Sequence, residues 1–140
     1  MTSQLNVDTI VDKAGSGGSN VKMANTSTYV DGSATQNTVQ GLAKAHCNFN
    51  GTGTISFRNS FNCSSLSDLG TGEYDVNYTN SMDSVYHSVT SGVSGSGVVN
   101  FGQTEVHQLL VSKCRYRTFR YTAGLEDFSY NSVTQHGDLA

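Results

Sequence analysis

Four histidines, three cysteines and a late run of basic side chains are the groups in this 140-residue chain that could do chemistry. His46, His87, His107 and His136 fall in separate β-prone stretches, and no Ser-His-Asp order comes with a nucleophile elbow or an oxyanion motif. No H-E-x-x-H is present. His46 and Cys47 are adjacent, but neighbours on a strand point to opposite faces, so the two cannot chelate one ion. Cys47, Cys63 and Cys114 are odd in number, widely spaced and without a C-x-x-C pair, which predicts reduced, buried thiols rather than a disulfide or a metal site. Gly15-Ser-Gly-Gly18 and Gly51-Thr-Gly53 lack the lysine and the strand–loop–helix setting of a phosphate loop. The expectation is a protein with no catalytic residue, no metal and no cofactor.

The basic run is Lys113, Arg115, Arg117 and Arg120, half of the eight basic residues of the chain. Tyr116, Phe119 and Tyr121 are interleaved with it, a pattern that could neutralise phosphates and stack bases. Against that stand a net charge of −3 and a pI of about 5.7, since nonspecific nucleic-acid binding needs many neutralised phosphates. No nucleic-acid partner is expected. Lys113, Arg115, Tyr116, Arg117 and Arg120 are instead a candidate interface or ligand face, met by Asp and Glu of a neighbour.

The elements that must hold these groups come from a lean composition. Hydrophobic residues make up 36% of the chain and charged ones 14%, with Gly, Ser, Thr and Asn in their place. Ordinary domains reach ~45–50% apolar with glycine counted. Part of the core is therefore expected to be completed between subunits. Low net charge with seven Tyr and six Phe disfavours disorder. The opening Met-Thr-Ser-Gln-Leu-Asn has no basic or apolar leader region, and no apolar run approaches the ~20 residues of a membrane span. A product made in a cytoplasm, without membrane contact, is expected.

Along the chain, residues 1–19 read as an extended arm with a Gly-rich hinge. Its apolar residues are Leu5, Val7, Ile10 and Val11, with Leu5, Val7 and Val11 on one side at a period of two. Residues 20–44 read as a polar connector with a turn at Asp31-Gly32, and 45–140 as the head. There Ala45, Cys47 and Phe49 alternate, Asn50, Gly51 and Gly53 make a hairpin turn tolerant of positive φ, and Ile55 and Phe57 resume the alternation. A strand through Phe61 and Cys63, a loop over 64–72 and a half-buried strand with Tyr74, Val76 and Tyr78 follow. Further strands are expected at 84–89, 98–101, 104–122 and 128–133, with a loop at 92–97. A helix over 104–112 fits the spacing of Val106, Leu109 and Leu110, but the β-branched and aromatic neighbours favour strand. With no proline and turns every 8–12 residues, the pattern predicts an all-β fold: an antiparallel β-sandwich or jelly-roll head with an extended N-terminal arm.

Three runs carry a family resemblance: His46-Cys-Asn-Phe-Asn-Gly-Thr-Gly-Thr54, Phe61-Asn-Cys-Ser-Ser-Leu66 and Gly70-Thr-Gly-Glu-Tyr-Asp-Val-Asn-Tyr78. Together they resemble a domain of tail-fibre and virion-surface proteins of aquatic bacteriophages, in which N-F-N-G-T-G-T is followed by F-N-V-S-S-[IL] and G-T-G-x-Y-x-V-x-F. His46 stands where that family tends to carry Trp, and Cys63 where it carries Val. Ser3-Gln-Leu-Asn-Val-Asp-Thr-Ile-Val11 looks like the docking arm that often precedes such domains. The resemblance covers the arm and residues 44–90. It implies a structural protein of a virion, fibre-like or a capsid decoration, docked through its arm on other virion structural proteins of capsid or tail, and, such proteins being usually three-fold, a homotrimer. The rival expectation is a receptor-binding adhesin that recognises a host-surface glycan, with Tyr29, Tyr86 or Tyr130 as its platform.

Overall fold

The computed structural model describes residues 28–31, 34–37, 41–95, 102–121 and 124–139. The arm with Leu5, Val7, Ile10 and Val11 and the expected strand at 98–101 lie outside them. The chain divides into two units, Met1–Thr38 and Val39–Ala140. In the first, β1 (Thr28–Asp31) pairs antiparallel with β2 (Ala34–Asn37), with Asp31 opposite Ala34. This hairpin falls in the stretch read as a connector.

The second unit is an antiparallel β-sandwich, as the alternation predicted. Its strands are β3 (Ala43–Asn50), β4 (Ser56–Phe61), β5 (Cys63–Gly70), β6 (Glu73–Tyr78), β7 (Ser88–Ser94), β8 (Gly102–Leu110), β9 (Lys113–Arg120), β10 (Gly124–Leu125) and β11 (Tyr130–His136). One sheet runs β4-β3-β11-β7. The other runs β5-β6-β9-β8, with the short β10 also paired to β9. Period-two alternation decides the inner faces. Ala45, Cys47 and Phe49 of β3 and Val133 of β11 pack against Tyr74, Val76 and Tyr78 of β6 and Cys114 and Tyr116 of β9. Phe49 meets Tyr74 and Tyr116 edge-on, with centroids 5.2 and 6.1 Å apart, a geometry worth about 0.5–1.5 kcal/mol per pair beyond burial.

Three local expectations are corrected. The loop expected over 64–72 is mostly strand β5, because a sheet edge needs little apolar content when β6 supplies the ladder and Cys63 and Leu66 pack on the core. The strand expected at 84–89 begins only at Ser88. Before it, His87 turns back to bond the Ser84 carbonyl through Nδ1 (2.9 Å), leaving Nε2 to accept from the buried Tyr78 hydroxyl (3.2 Å). The loop expected from residue 92 starts late, since Gly92, Val93 and Ser94 complete β7 on β11.

The chain changes sheets at Asn62, which adopts φ 55. Its side-chain amide donates to the carbonyls of Lys44 (3.0 Å) and Asn80 (3.1 Å) and accepts from the Asn80 amide (2.7 Å), offsetting the left-handed backbone. In the β3–β4 hairpin the Asn50 side chain bonds the Thr52 hydroxyl (2.9 Å) and carbonyl (2.8 Å). The positive φ belongs to Gly53 (63°) and not to Gly51. Gly51 is needed for a different reason, which is contact. A Cβ there would lie 2.6 Å from the Tyr74 hydroxyl, 2.8 Å from Asn131 Nδ2 and 2.9 Å from the Phe128 carbonyl.

That distinction is measurable. Gly51→Ala should cost about 3 kcal/mol, since backbone and buried side chains must move. Gly53→Ala should cost about 1 kcal/mol, for backbone strain alone in open space. Urea unfolding of the two variants should give clearly separated midpoints. Equal losses, or a larger one at Gly53, would contradict the contact argument.

Candidate functional site

The two outer faces of the sandwich are built differently. On the β5-β6-β9-β8 sheet, cross-strand register sets up rows: Ser65–Asn77–Lys113–Leu110, Ser67–Asp75–Arg115–Gln108, and Glu73–Arg117–Glu105. Lys113, Arg115 and Arg117 do share this face, and each finds a carboxylate on β6 of the same chain. Lys113 Nζ lies 2.5 Å and Arg115 Nε 2.8 Å from the Asp75 carboxylate, and Arg117 bonds Glu73 at 2.9 Å. Asp75 is only 3% exposed although it faces outward, because the two long cations close over it. The Arg115 guanidinium foremost, and then Lys113, hold its carboxyl below the usual range against the opposing effect of burial.

Two members of the expected face belong elsewhere. Tyr116 has the opposite parity on β9 and is fully buried in the core, its hydroxyl donating to the Gly92 carbonyl at 3.1 Å. Arg120 shares that inward parity at the end of the sandwich and pairs with Glu126. The basic run is thus a set of intrachain ion pairs, with acidic partners supplied by β6 and by the segment after β10.

The outer face of the β4-β3-β11-β7 sheet is polar and aromatic. Its rows are Phe61–His46–Thr134–Thr90 and Asn59–Asn48–Ser132–Gly92, with Tyr130 opposite Ser94 beyond them. His46 and Phe61 stack, centroids 5.8 Å apart and planes 23° apart, and His46 Nε2 donates to Asn59 Oδ1 at 3.2 Å. Arg58 is the extra residue of a β4 bulge, since Asn48 pairs with Asn59 and Phe49 with Phe57. The bulge aims its guanidinium 4.1 Å above the Tyr130 ring, where Nη1 donates to the carbonyls of Phe49 (3.2 Å) and Ser129. Beside this pair, Asn48, Gly92, Val93, Ser94, Tyr130 and Ser132 surround a depression of about 480 Å³. Sequence reasoning found Tyr130 but missed Arg58, Asn48, Gly92 and Ser132, which only strand register brings together. Tyr86 is 93% exposed and lines a separate concavity with Asp83 and His87, so Tyr86 and Tyr130 do not form one platform.

The thiols are free, with Cys47 and Cys114 buried and Cys63 half-buried. Burial pushes Cys114 up to about 12. The neighbouring Cys63 and then burial raise Cys47, and the same contact lowers Cys63. Among the described residues no three His, Cys, Asp or Glu side chains are placed to hold a metal ion. No family model matches the chain, and no curated protein or solved structure matches it.

Asp75 gives the molecule a defined acid response. Folding lowers its pKa below the ordinary 3.8, so its contribution is present in full above about pH 5 and is lost as pH falls through the folded-state value. At neutral pH, Asp75→Asn should cost about 3 kcal/mol, because a carboxylate enclosed by two cations is removed. Glu73→Gln, at a more exposed pair, should cost under ~1 kcal/mol. Chemical denaturation from pH 7 to 2 should also show a shallower acid loss for Asp75→Asn than for the parent. Equal effects of the two substitutions would contradict the assignment.

Proposed function

We propose that this chain is a non-enzymatic structural subunit displayed on the outside of a bacteriophage particle, with the β-sandwich as its exposed head and the N-terminal arm docked on capsid or tail proteins. The observation that carries this reading is that the residues responsible for the family resemblance are builders of the fold rather than parts of an active centre. Phe49 fills the core, Asn50 caps the hairpin turn, and Gly51 admits the Tyr74 hydroxyl. Asn62 turns the corner between sheets, and Gly72 takes φ 66 with no room for a Cβ against Thr118 and Glu126. Tyr74 and Val76 belong to the core. A motif with that content marks a scaffold, and likeness in it supports a shared display head. The ion-paired outer face fits the same reading, because its cations are neutralised within the chain.

Quantitative mass spectrometry of purified particles tests the proposal. Hundreds of copies per particle would place the chain as a capsid decoration, and a few to a few tens would place it in the tail. Its absence from purified particles would overturn the virion reading.

A further inference from the structure

We propose that the depression on the outer face of the β4-β3-β11-β7 sheet binds a neutral pyranose ring, stacked at Tyr130 and held by hydrogen bonds from Asn48 and Ser132. The inference deepens the display reading by naming a ligand for the head, but the binding is a property of the free protein and stands or falls without the particle.

Three features point to this ligand class. The first is the aromatic. Tyr130 remains 46% exposed although one of its faces carries the Arg58 guanidinium, and it lines the depression directly. An aromatic ring has an electron-rich face, which attracts the polarised C–H groups presented by one side of a pyranose. Arg58 is held by two carbonyls besides the ring, so Tyr130 is fixed before any ligand arrives.

The second feature is the polar equipment. Asn48 lines the depression, no hydrogen bond among the described residues engages its side chain, and its amide carries two donor hydrogens and an acceptor oxygen. Ser132 donates only a long bond, 3.4 Å, to the Gly92 carbonyl, and its oxygen is free to accept. Hydroxyl groups both donate and accept, so a polyol matches this set where a carboxylate or an ammonium would not. Among the described residues no Asp, Glu, Lys or His lines the depression. The nearest charge, Arg58, already has its partners. A neutral ligand is therefore favoured over a charged one.

The third feature is the space itself. A volume of about 480 Å³ lies within the ~300–1,000 Å³ typical of small-molecule sites. It exists because Gly92 ends the row Asn59–Asn48–Ser132 without a side chain. A Cβ at Gly92 would meet only Ser132 Oγ, at 3.7 Å, which is ordinary contact. The fold tolerates a larger residue there, so the empty space is not a packing requirement.

Saturation-transfer NMR on the full chain, with the methyl pyranosides of glucose, galactose and mannose and with the methyl glycoside of N-acetylneuraminic acid as the charged comparison, tests the proposal. At least one neutral glycoside should receive transfer and bind with a dissociation constant on the order of millimolar. Gly92→Val should abolish transfer while leaving the thermal midpoint unchanged, and Tyr130→Ala should weaken binding about tenfold. No transfer to any neutral glycoside, transfer undiminished in Gly92→Val, or preference for the charged sugar would overturn it. Should no sugar bind while particles contain the protein, this inference fails and the display reading survives. Sugar binding by a protein absent from particles would give the opposite result.

Discussion

The sandwich is closed by a buried corner in which two glycine backbones approach one tyrosine hydroxyl and one carboxylate. Tyr74, near the start of β6, reaches Asp127 Oδ1 at 2.6 Å and the Gly51 carbonyl at 3.0 Å. The same Asp127 oxygen accepts the Gly72 amide at 2.6 Å, and the Gly51 amide donates to the Phe128 carbonyl at 3.0 Å. Burial first, and then the Asp127 carboxylate, raise the Tyr74 pKa, so the hydroxyl keeps its proton and acts as donor. The short bond to a charged acceptor is the stronger of its two contacts. Through these few atoms the β3–β4 hairpin, the β5–β6 turn and the segment leading into β11 are joined. Removing any one member leaves a polar group buried without its partner.

A second consequence of the composition is a core that is partly polar. Asn131, Gln135 and Thr118 are buried among the aromatics, where a richer sequence would place leucine or isoleucine. Asn131 gains from this position by donating to the Phe128 carbonyl at 2.7 Å, and Thr118 Oγ1 donates to the Glu126 carbonyl at 2.5 Å. These two hydrogen bonds tie inner faces of the sandwich to the connecting segments. Such bonds demand geometry where hydrophobic contact demands only proximity, and they make the arrangement specific. The outer faces divide the remaining work. One neutralises its own charges across strands, and the other presents uncharged polar groups and aromatic rings.

The strands with clean alternation were legible from the residues alone. Ala45, Cys47 and Phe49, and Tyr74, Val76 and Tyr78, announce an inner face at once, whereas Tyr116, grouped by composition with the basic run, is sent inward by the parity that sets Lys113, Arg115 and Arg117 outward. Strand β5 was not legible, because Cys-Ser-Ser-Leu-Ser-Asp-Leu-Gly resembles a loop until β6 lies beside it. Nor were the partners of the basic run. Asp75 and Arg115 are 40 residues apart, and only the register of β6 on β9 makes them neighbours. The depression at Tyr130 depends on a bulge at Arg58 and on glycine at one position of a row, features that arise from pairing and carry no local sequence signal. Gly51 shows the same limit, since a glycine kept for contact and one kept for φ are indistinguishable before the neighbours are known.

The central claim is that the Tyr74–Asp127 corner, with its two glycine backbones, holds the sandwich together. Native-state hydrogen exchange at the Gly51 and Gly72 amides tests it most directly, because both protons are bonded within the corner. If the account is right, these two amides exchange only through global unfolding, with the same denaturant dependence as the amides of β6 and β9, although both sit in connections where exchange is ordinarily fast. Exchange at Gly51 and Gly72 through a low-energy local opening, while β6 and β9 stay protected, would contradict it.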